Sequence, residues 1–375
     1  MSSRVHSNDK STETAMSFSF GFSSNDFSDD ELAESTSVAA LGDASANGAA
    51  NGQLGSALDD VQLVDDISIV QPAQHSLESL LRGLQGVRLS FETVASPETG
   101  TVLYRRELFD IKHQLMSSEG DKELDIIVNE DLKRNVYEGG LKSWECSLDL
   151  VDLLSARRTD LAAVSKVIEI GCGTALPTEY VFREYLLSNR KNGLTLVLTD
   201  YNFTVLQLAS LPNMILTWAK ETLDRDQWAM LQRSEDPTVP VMDNELLLTA
   251  DLLQRFRESL AERHVTLDFV SGSWGRKFTD IVHSLLPQCE GTTAASLVLT
   301  SETIYQPENL PLITETLLDL KGYIGGPTTV LVAAKDIYFG VGGSVLDFEK
   351  RLDGLNVQYN TTKIQSGLKR SIVTI

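Results

Sequence analysis

The clearest pattern in the chain is a series of short apolar runs, each followed by residues with helical spacing. The run that ends at Ile170 is rich in β-branched residues, which favours a strand buried on both faces. Gly171 and Gly173 follow at once, and apolar positions then recur at helical spacing up to Leu187. Strand, glycine turn and helix in this order are typical of a nucleotide-type cofactor site.

Buried strands continue to alternate with helices towards the C-terminus, which predicts an α/β fold with a doubly wound, mostly parallel sheet. The last two strands have no helix between them and are predicted to form an antiparallel pair at an edge. The polar stretch from Thr222 to Glu245 predicts an irregular insertion. The seven strands are predicted at residues 166–170, 194–200, 265–270, 296–300, 328–334, 356–360 and 371–375.

Composition divides the chain into three regions. Residues 1–75 lack a sustained apolar period and are predicted to be a disordered acidic tail. Three phenylalanines between Ser17 and Phe22 precede acids there, either as a docking motif or as part of a tail that docks nowhere. Residues 76–130 are predicted to form a helix and hairpin extension that packs on the core. Residues 131–375 are predicted to form the cofactor-binding domain.

The charge balance limits the possible partners. The 375 residues carry a formal net charge of −21, which argues against a broad nucleic-acid-binding face. Residues 1–75 hold two basic and twelve acidic residues. No apolar run approaches the ~18 residues of a membrane span, and the N-terminus lacks the pattern of a secretory signal.

Cys146, Cys172 and Cys289 fit neither a zinc-binding spacing nor a paired disulfide framework, which indicates a reducing compartment. The five histidines show no metal-ligand spacing and no catalytic triad. We therefore expect a cytoplasmic or nuclear protein without a metal site, membrane partner or direct nucleic-acid binding. A monomer is the default expectation.

Ligands of a parallel sheet bind beyond the carboxyl ends of its strands. The glycine turn would admit a ligand close to the main chain, and Asp200 could accept hydrogen bonds from a ribose diol. Trp274 could stack on an adenine, and Glu302 could meet a polar or cationic group. These strand ends predict an adenosine ligand: Gly171–Cys172–Gly173, Asp200–Tyr201–Asn202, Gly272–Ser273–Trp274 and Ser301–Glu302.

A nicotinamide dinucleotide is the first alternative, and three features count against it. Leu176 replaces the third glycine of the dinucleotide fingerprint. Pro177 and Glu179 occupy the helix start where a pyrophosphate would bind. Asp200 follows Gly171 by about 29 residues, whereas the fingerprint acid follows after about 20.

Glu169, two residues before the first glycine, suits a cationic ligand. S-adenosylmethionine carries an ammonium and a sulfonium but no phosphate. It is therefore the predicted cofactor.

Five motifs in this order resemble the histidine protein methyltransferase 1 family, which belongs to the class I, seven-stranded S-adenosylmethionine-dependent methyltransferases. The resemblance runs from about residue 87 to the C-terminus. A short piece from Met16 resembles the start of fungal members, which makes residues 1–15 an expected extension. The motifs are Val136–Cys146, Glu169–Gly173, Asp200–Asn202, Ser301–Tyr305 and Ala334–Gly343.

The resemblance implies methyl transfer to a histidine ring nitrogen of a large-subunit ribosomal protein. Ser273 departs from the family pattern because an acid is expected there, and Ser143 replaces a larger apolar residue, which predicts a looser helix start. The implied cofactor site comprises Trp144 and Glu145 near the methionine, the turn at Gly171 and Gly173, Asp200 and Asn202 at the ribose, Trp274 at the adenine, and Ser301, which closes the pocket. Their strand-end neighbours Cys172, Tyr201 and Gly272 are also predicted to bind the cofactor.

Methyl transfer to histidine requires a neutral imidazole, and a carboxylate that accepts the hydrogen of the second nitrogen would fix the tautomer. Asp336, Glu302 and Glu145 are candidates near the carboxyl edge of the sheet, or else they are helix caps and solvated acids. Two other functions remain open. One is a lysine methyltransferase of the same fold, and the other is a non-catalytic binding module for ribosome assembly.

Overall fold

The computed structural model describes residues 56–60, 70–117, 138–158, 160–188, 190, 192–286 and 294–375. The strands within these residues are β1 (Ala73–His75), β2 (Arg88–Ala95), β3 (Val102–Arg106), β4 (Val164–Ile170), β5 (Leu194–Asp200), β6 (Glu245–Leu247), β7 (Val265–Ser271), β8 (Ala295–Ser301), β9 (Thr328–Lys335), β10 (Asn360–Ile364) and β11 (Arg370–Thr374). The α-helices of four residues or more are α1 (Ser56–Asp60), α2 (Leu77–Leu84), α3 (Leu108–Ser117), α4 (Glu145–Ala156), α5 (Leu176–Leu187), α6 (Leu211–Thr222), α7 (Arg225–Gln232), α8 (Ala250–Glu262), α9 (Arg276–Leu285), α10 (Leu310–Ile324) and α11 (Val345–Gly354).

The larger of two sheets has the strand order β1-β7-β5-β4-β8-β9-β11-β10. The five strands from β7 to β9 are parallel, and β1, β11 and β10 are antiparallel edge strands. The predicted doubly wound, mostly parallel sheet with an antiparallel pair at its edge is confirmed. The first strand of that pair, Asn360–Ile364, lies closer to the C-terminus than predicted. β1 is an eighth strand that the hydrophobic pattern did not indicate.

Helices cover both faces of this sheet because successive side chains along its strands point to opposite sides. Val167 of β4 and Leu196 of β5 belong to one hydrophobic core, with residues of α2, α4, α5 and α6. Their neighbours Ile168 and Val197 belong to the second core, with α9, α10 and α11. All four side chains are fully buried. The carboxyl ends of the parallel strands consequently meet at one edge, between the two helical layers.

Two strands of the smaller sheet, β3-β2-β6, belong to the region predicted as an extension. β2 and β3 form the expected hairpin, and β6, which begins at Glu245 at the end of the predicted irregular stretch, joins β2. The prediction of an irregular stretch was wrong, because residues 225–232 within it form α7. Asp224 and Gln227 form a capping box at the start of α7, which provides partners for the first N–H groups of the helix.

Two pieces of the predicted tail are among the described residues. In α1, the backbone N–H of Ala57 donates to Glu315 Oε2 at 2.9 Å, and Leu58 is buried. β1 pairs with β7. Residues 1–55 and 61–69 of the tail, with Met16 and the phenylalanine motif, lie outside the described residues, as does Cys289. Within the described ranges, no helix is long and apolar enough to cross a membrane.

Candidate active site

A cavity of about 910 Å³ opens at the carboxyl edge of the parallel strands, a size typical of sites for small-molecule cofactors. Ten of the predicted site residues line it: Trp144, Gly171, Cys172, Gly173, Asp200, Tyr201, Trp274, Ser301, Glu302 and Asp336. Four others, Glu145, Glu169, Asn202 and Gly272, are not among its lining residues.

The glycine turn is closed by the acid at the end of the neighbouring strand. Gly171 and Gly173 have φ values of 62° and 51°, a region that favours glycine. Asp200 Oδ2 accepts the N–H of Gly173 at 3.0 Å, and its Oδ1 accepts the N–H of Asn202 at 3.0 Å. A carboxylate oxygen has a second lone pair, so Asp200 retains acceptor capacity for a ribose hydroxyl. Burial raises the pKa of Asp200 to about 6.

The structure places Glu169 outside the cavity, in contrast to its expected role in binding a cationic cofactor. Ala175, the N-cap residue of α5, makes no side-chain capping bond. Glu169 replaces that cap, because its Oε2 accepts both the backbone N–H and the hydroxyl of Thr178 in the first turn. Its side chain is 1% exposed, and burial raises its pKa to about 8.

The start of α5 is therefore poorly suited to a pyrophosphate. Pro177 has no N–H to offer, and Glu169 already occupies the N–H of Thr178. Glu179 acts differently from the prediction, because it is buried and accepts a hydrogen bond from the Thr217 hydroxyl at 2.6 Å. These contacts favour a ligand without phosphate.

Two predicted residues beside the adenosyl end support the wall of the cavity. The N–H of Gly272 lies 3.0 Å from Asp200 O and 3.1 Å from Tyr201 O, so it joins the loops that follow β5 and β7. Asn202 Oδ1 accepts the backbone N–H of Glu138 at 3.2 Å. The backbone of Gly272 thus holds Asp200 and Tyr201 in place, and the side chain of Asn202 holds Glu138.

Trp144 lines the opposite end of the cavity. Its Nε1 donates to Gly139 O at 3.1 Å, and Lys335 Nζ lies 5.2 Å from the ring centroid. Glu145 is not among the lining residues, but it forms an ion pair at 3.3 Å with Lys335, which is, and 54% of its side chain is exposed.

Ser143 does not leave the start of α4 loose, contrary to expectation. Its hydroxyl lies 2.8 Å from the hydroxyl of Thr174, a residue of the glycine turn. The smaller residue thus links α4 to the turn.

The two candidate catalytic carboxylates differ in what they bind. Asp336 Oδ2 pairs with Lys363 Nζ at 3.0 Å, and its Oδ1 accepts the hydroxyl of Ser371. Glu302 has a side chain only 8% exposed, and its Oε1 has no hydrogen-bond partner among the described residues. The nearest cation, Lys335 Nζ, is 3.7 Å from that oxygen, beyond hydrogen-bond distance. Glu302 therefore has a buried oxygen without a hydrogen-bond partner among the described residues, whereas both oxygens of Asp336 are bonded.

Two neutral donors lie beside the Glu302 carboxylate. Burial, followed by the charge of Glu302, raises the pKa of both the Tyr338 hydroxyl and the Cys146 thiol. Both groups consequently remain protonated at neutral pH. Glu302 itself has a φ of 59°, an uncommon backbone conformation for a residue with a side chain, and such conformations cluster at functional sites.

Sequence reasoning assigned no role to several residues that line this end of the cavity. Tyr305 donates its hydroxyl to Glu138 Oε2, and the rings of Tyr305 and Tyr338 are 6.2 Å apart. Glu138, Tyr305 and Tyr338 all lie within the motifs that carry the family resemblance. Their position in those motifs was the signal from which the sequence could have predicted a role for them. Among the described residues, no group of His, Cys, Asp and Glu side chains is arranged to hold a metal ion.

Comparison with known proteins identifies the family. No family model matches the chain. The chain is 46% identical over 379 residues to histidine protein methyltransferase 1 of Saccharomyces cerevisiae, with 96% of this chain and 98% of that protein covered. The chain belongs to the histidine protein methyltransferase 1 family. Histidine protein methyltransferase 1 of Schizosaccharomyces pombe is 35% identical over 281 residues, covering 74% of this chain and 76% of that protein.

A Bos taurus homolog of histidine protein methyltransferase 1 is 32% identical over 65% of this chain and 56% of its own length. The chain also aligns with the SAH-bound Podospora anserina methyltransferase PaMTH1, at 9% identity over 75% of this chain and 88% of that chain, with a TM-score of 0.32. Membership of the histidine protein methyltransferase 1 family confirms the predicted enzyme class and S-adenosylmethionine as the methyl donor.

Proposed function

We propose that this protein transfers the methyl group of S-adenosylmethionine to a ring nitrogen of a histidine in a large-subunit ribosomal protein. The observation that carries the proposal is the similarity to yeast histidine protein methyltransferase 1 over nearly the whole of both chains. The geometry of the cavity supports the same reaction at its two ends.

The cofactor end fits S-adenosylmethionine. Asp200 keeps acceptor capacity for ribose hydroxyls, and Tyr201 and Trp274 line the wall beside it. The start of α5 offers no free N–H at Thr178 for a phosphate, which S-adenosylmethionine does not have. Bound there, the cofactor supplies an electrophilic methyl group on a sulfonium.

The acceptor end lies at β8 and β9, the next two strands of the sheet after β4, which ends at the glycine turn. An imidazole attacks through its unprotonated nitrogen, so the other ring nitrogen carries hydrogen. Glu302 Oε1 accepts a hydrogen bond from that N–H, which selects the tautomer and stabilises the positive charge that develops on the ring. Tyr338 and Cys146 lie beside Glu302 and are both neutral, so neither adds a negative charge to this cluster.

The rim of the cavity suits a protein acceptor. Four apolar side chains, on the loop after β9 and the β10–β11 turn, line the cavity while remaining largely exposed to solvent. Contiguous exposed apolar groups of this kind mark interaction surfaces. They are Ile337 (55% exposed), Phe339 (86%), Val341 (47%) and Leu368 (62%).

A ribosomal protein is the acceptor class that the charge favours. The net charge of −21 promotes encounter with a basic protein. We propose that the reaction takes place in the cytoplasm or nucleus, and that the enzyme acts as a monomer without contacting nucleic acid.

The test is to incubate the full chain with methyl-labelled S-adenosylmethionine and unmodified large-subunit ribosomal proteins, and to map the labelled residue by mass spectrometry. We expect label on one histidine, and none with the Asp200→Ala variant. Label on lysine would assign the protein to lysine methyltransferases of this fold. Binding of ribosomal protein without any label would favour a non-catalytic assembly module.

A further inference from the structure

The segment Val70–His75, here called the strap, lies along the adenosyl end of the cavity. Its second half is β1, in which Ala73, Gln74 and His75 pair with Ser271, Val270 and Phe269 at the edge of β7. His75 Nε2 lies 2.7 Å from Ser271 Oγ, and its ring is 4.4 Å from the ring of Phe203, which follows the β5 loop. The strap is thus anchored to β7 and to the segment that follows β5.

The first half of the strap is bonded to residues that line the cavity. The carbonyl oxygen of Val70 accepts two hydrogen bonds from Ser273, one from the backbone N–H and one from the hydroxyl, each at 2.9 Å. The N–H of Val70 lies 3.4 Å from the Tyr201 hydroxyl oxygen. Ser273 and Tyr201 belong to different loops, so a single residue of the strap connects both.

Gly272 permits this close approach. It has a φ of 108°, and a Cβ at this position would lie 2.6 Å from Pro72 Cα and 2.7 Å from Gln71 O. Any side chain at 272 would therefore displace the strap. Gly272 serves the cofactor site indirectly, by admitting the strap.

We propose that the strap is part of the cofactor site, where it positions Ser273 and Tyr201 and thereby sets the affinity for S-adenosylmethionine. This inference rests on the proposed function. It also gives a role to Ser273, where the family resemblance led us to expect an acid. A carboxylate has no hydrogen to donate to Val70 O, whereas the serine hydroxyl donates one.

Linkage makes the proposal reciprocal. If the strap raises the affinity for the cofactor, the cofactor must stabilise the docked strap by the same factor. The cofactor should therefore slow hydrogen exchange of the strap amides. If the strap were an edge strand with a purely structural role, the cofactor would leave that exchange rate unchanged.

The experiment measures binding of S-adenosylhomocysteine to the full chain by calorimetry, for the wild type, Ser273→Ala and Ser273→Asp. We expect Ser273→Ala to weaken binding about fivefold, the value of one hydrogen bond, and Ser273→Asp to weaken it further. Ser284→Ala is the matched control, because Ser284 is exposed and bonds only locally, to Ile281 O. This control should bind as the wild type does.

Hydrogen exchange of residues 70–75 in the wild type is measured with and without S-adenosylhomocysteine, and we expect slower exchange with it. Wild-type affinity in Ser273→Ala overturns the proposal. The proposal is also overturned if Ser273→Ala binds S-adenosylhomocysteine more weakly but the ligand does not slow hydrogen exchange of residues 70–75 in the wild type. The Ser273 hydroxyl would then act on the ligand directly and not through the strap. A wild type that binds no S-adenosylhomocysteine contradicts the proposed function as well, so the two failures are distinguishable.

Discussion

Asp200 Oδ2 lies 3.0 Å from the backbone nitrogen of Gly173, so the acid that ends one strand holds the glycine turn that ends the next. The same carboxylate is the proposed acceptor for the ribose, and its pKa is raised to about 6. An ionised carboxylate accepts hydrogen bonds better than a protonated one. Cofactor affinity should therefore increase as the pH rises through about 6.

The Asp200→Asn variant tests this expectation. At pH 7.5 it should bind S-adenosylhomocysteine at least tenfold more weakly, since a charge-assisted acceptor is lost. Calorimetry between pH 5 and 8 should show a rise in affinity for the wild type and a flat profile for the variant. Equal profiles for the two proteins would assign the titration to another group.

Glu302→Gln should lower kcat at least tenfold while leaving the Kd for S-adenosylhomocysteine within about twofold. The reason is that Gln keeps an acceptor oxygen at this buried position but loses the charge that stabilises the imidazolium. Asp336→Asn is the matched control, because both Asp336 oxygens are bonded to Lys363 and Ser371. A larger kcat loss in Asp336→Asn than in Glu302→Gln would reverse the assignment of roles.

Phe339→Ala should raise KM for the ribosomal acceptor about five- to tenfold with little change in thermal stability. Phe339 is 86% exposed, so its truncation removes docking surface without opening the core. Phe109→Ala on α3 is the control, because Phe109 is 75% exposed and does not line the cavity. Equal steady-state parameters for Phe339→Ala and the wild type would exclude the rim from acceptor binding.

Glu169 should make the protein less stable as the pH rises. Its folded-state pKa of about 8 exceeds the ordinary value of 4.5, so the folded protein holds the proton more tightly than the unfolded chain. This contribution to stability is complete below about pH 4.5 and is lost as the pH approaches 8. Glu169→Gln removes the titration while keeping an oxygen for Thr178.

Urea denaturation at pH 5 and pH 8 measures the effect. The decline in unfolding free energy between the two should be smaller in Glu169→Gln than in the wild type, by on the order of 3 kcal/mol. Glu262→Gln, at an exposed position, should behave like the wild type. An unchanged decline in Glu169→Gln would show that the buried carboxyl does not titrate in this range.

The sequence by itself determined the architecture of the site. Apolar runs such as the one ending at Ile170 predict buried strands from local periodicity, and parallel strands must bring their carboxyl ends to one edge. The turn at Gly171 and the acid at Asp200 were therefore expected near each other, and they are. The ordered motifs added the family.

Only the tertiary structure decided how individual polar groups are used, because hydrogen-bond partners come from elsewhere in the chain. Glu169 and Glu302 both adjoin strand ends, yet Glu169 caps a helix, while Glu302 Oε1 is buried without a hydrogen-bond partner among the described residues. Ser273 bonds Val70, 203 residues away, within a region whose composition predicted disorder. Amino-acid composition indicates only whether a segment can bury enough apolar surface by itself to remain ordered. Residues 73–75 are ordered because the edge of β7 provides backbone hydrogen-bond partners that the segment itself lacks.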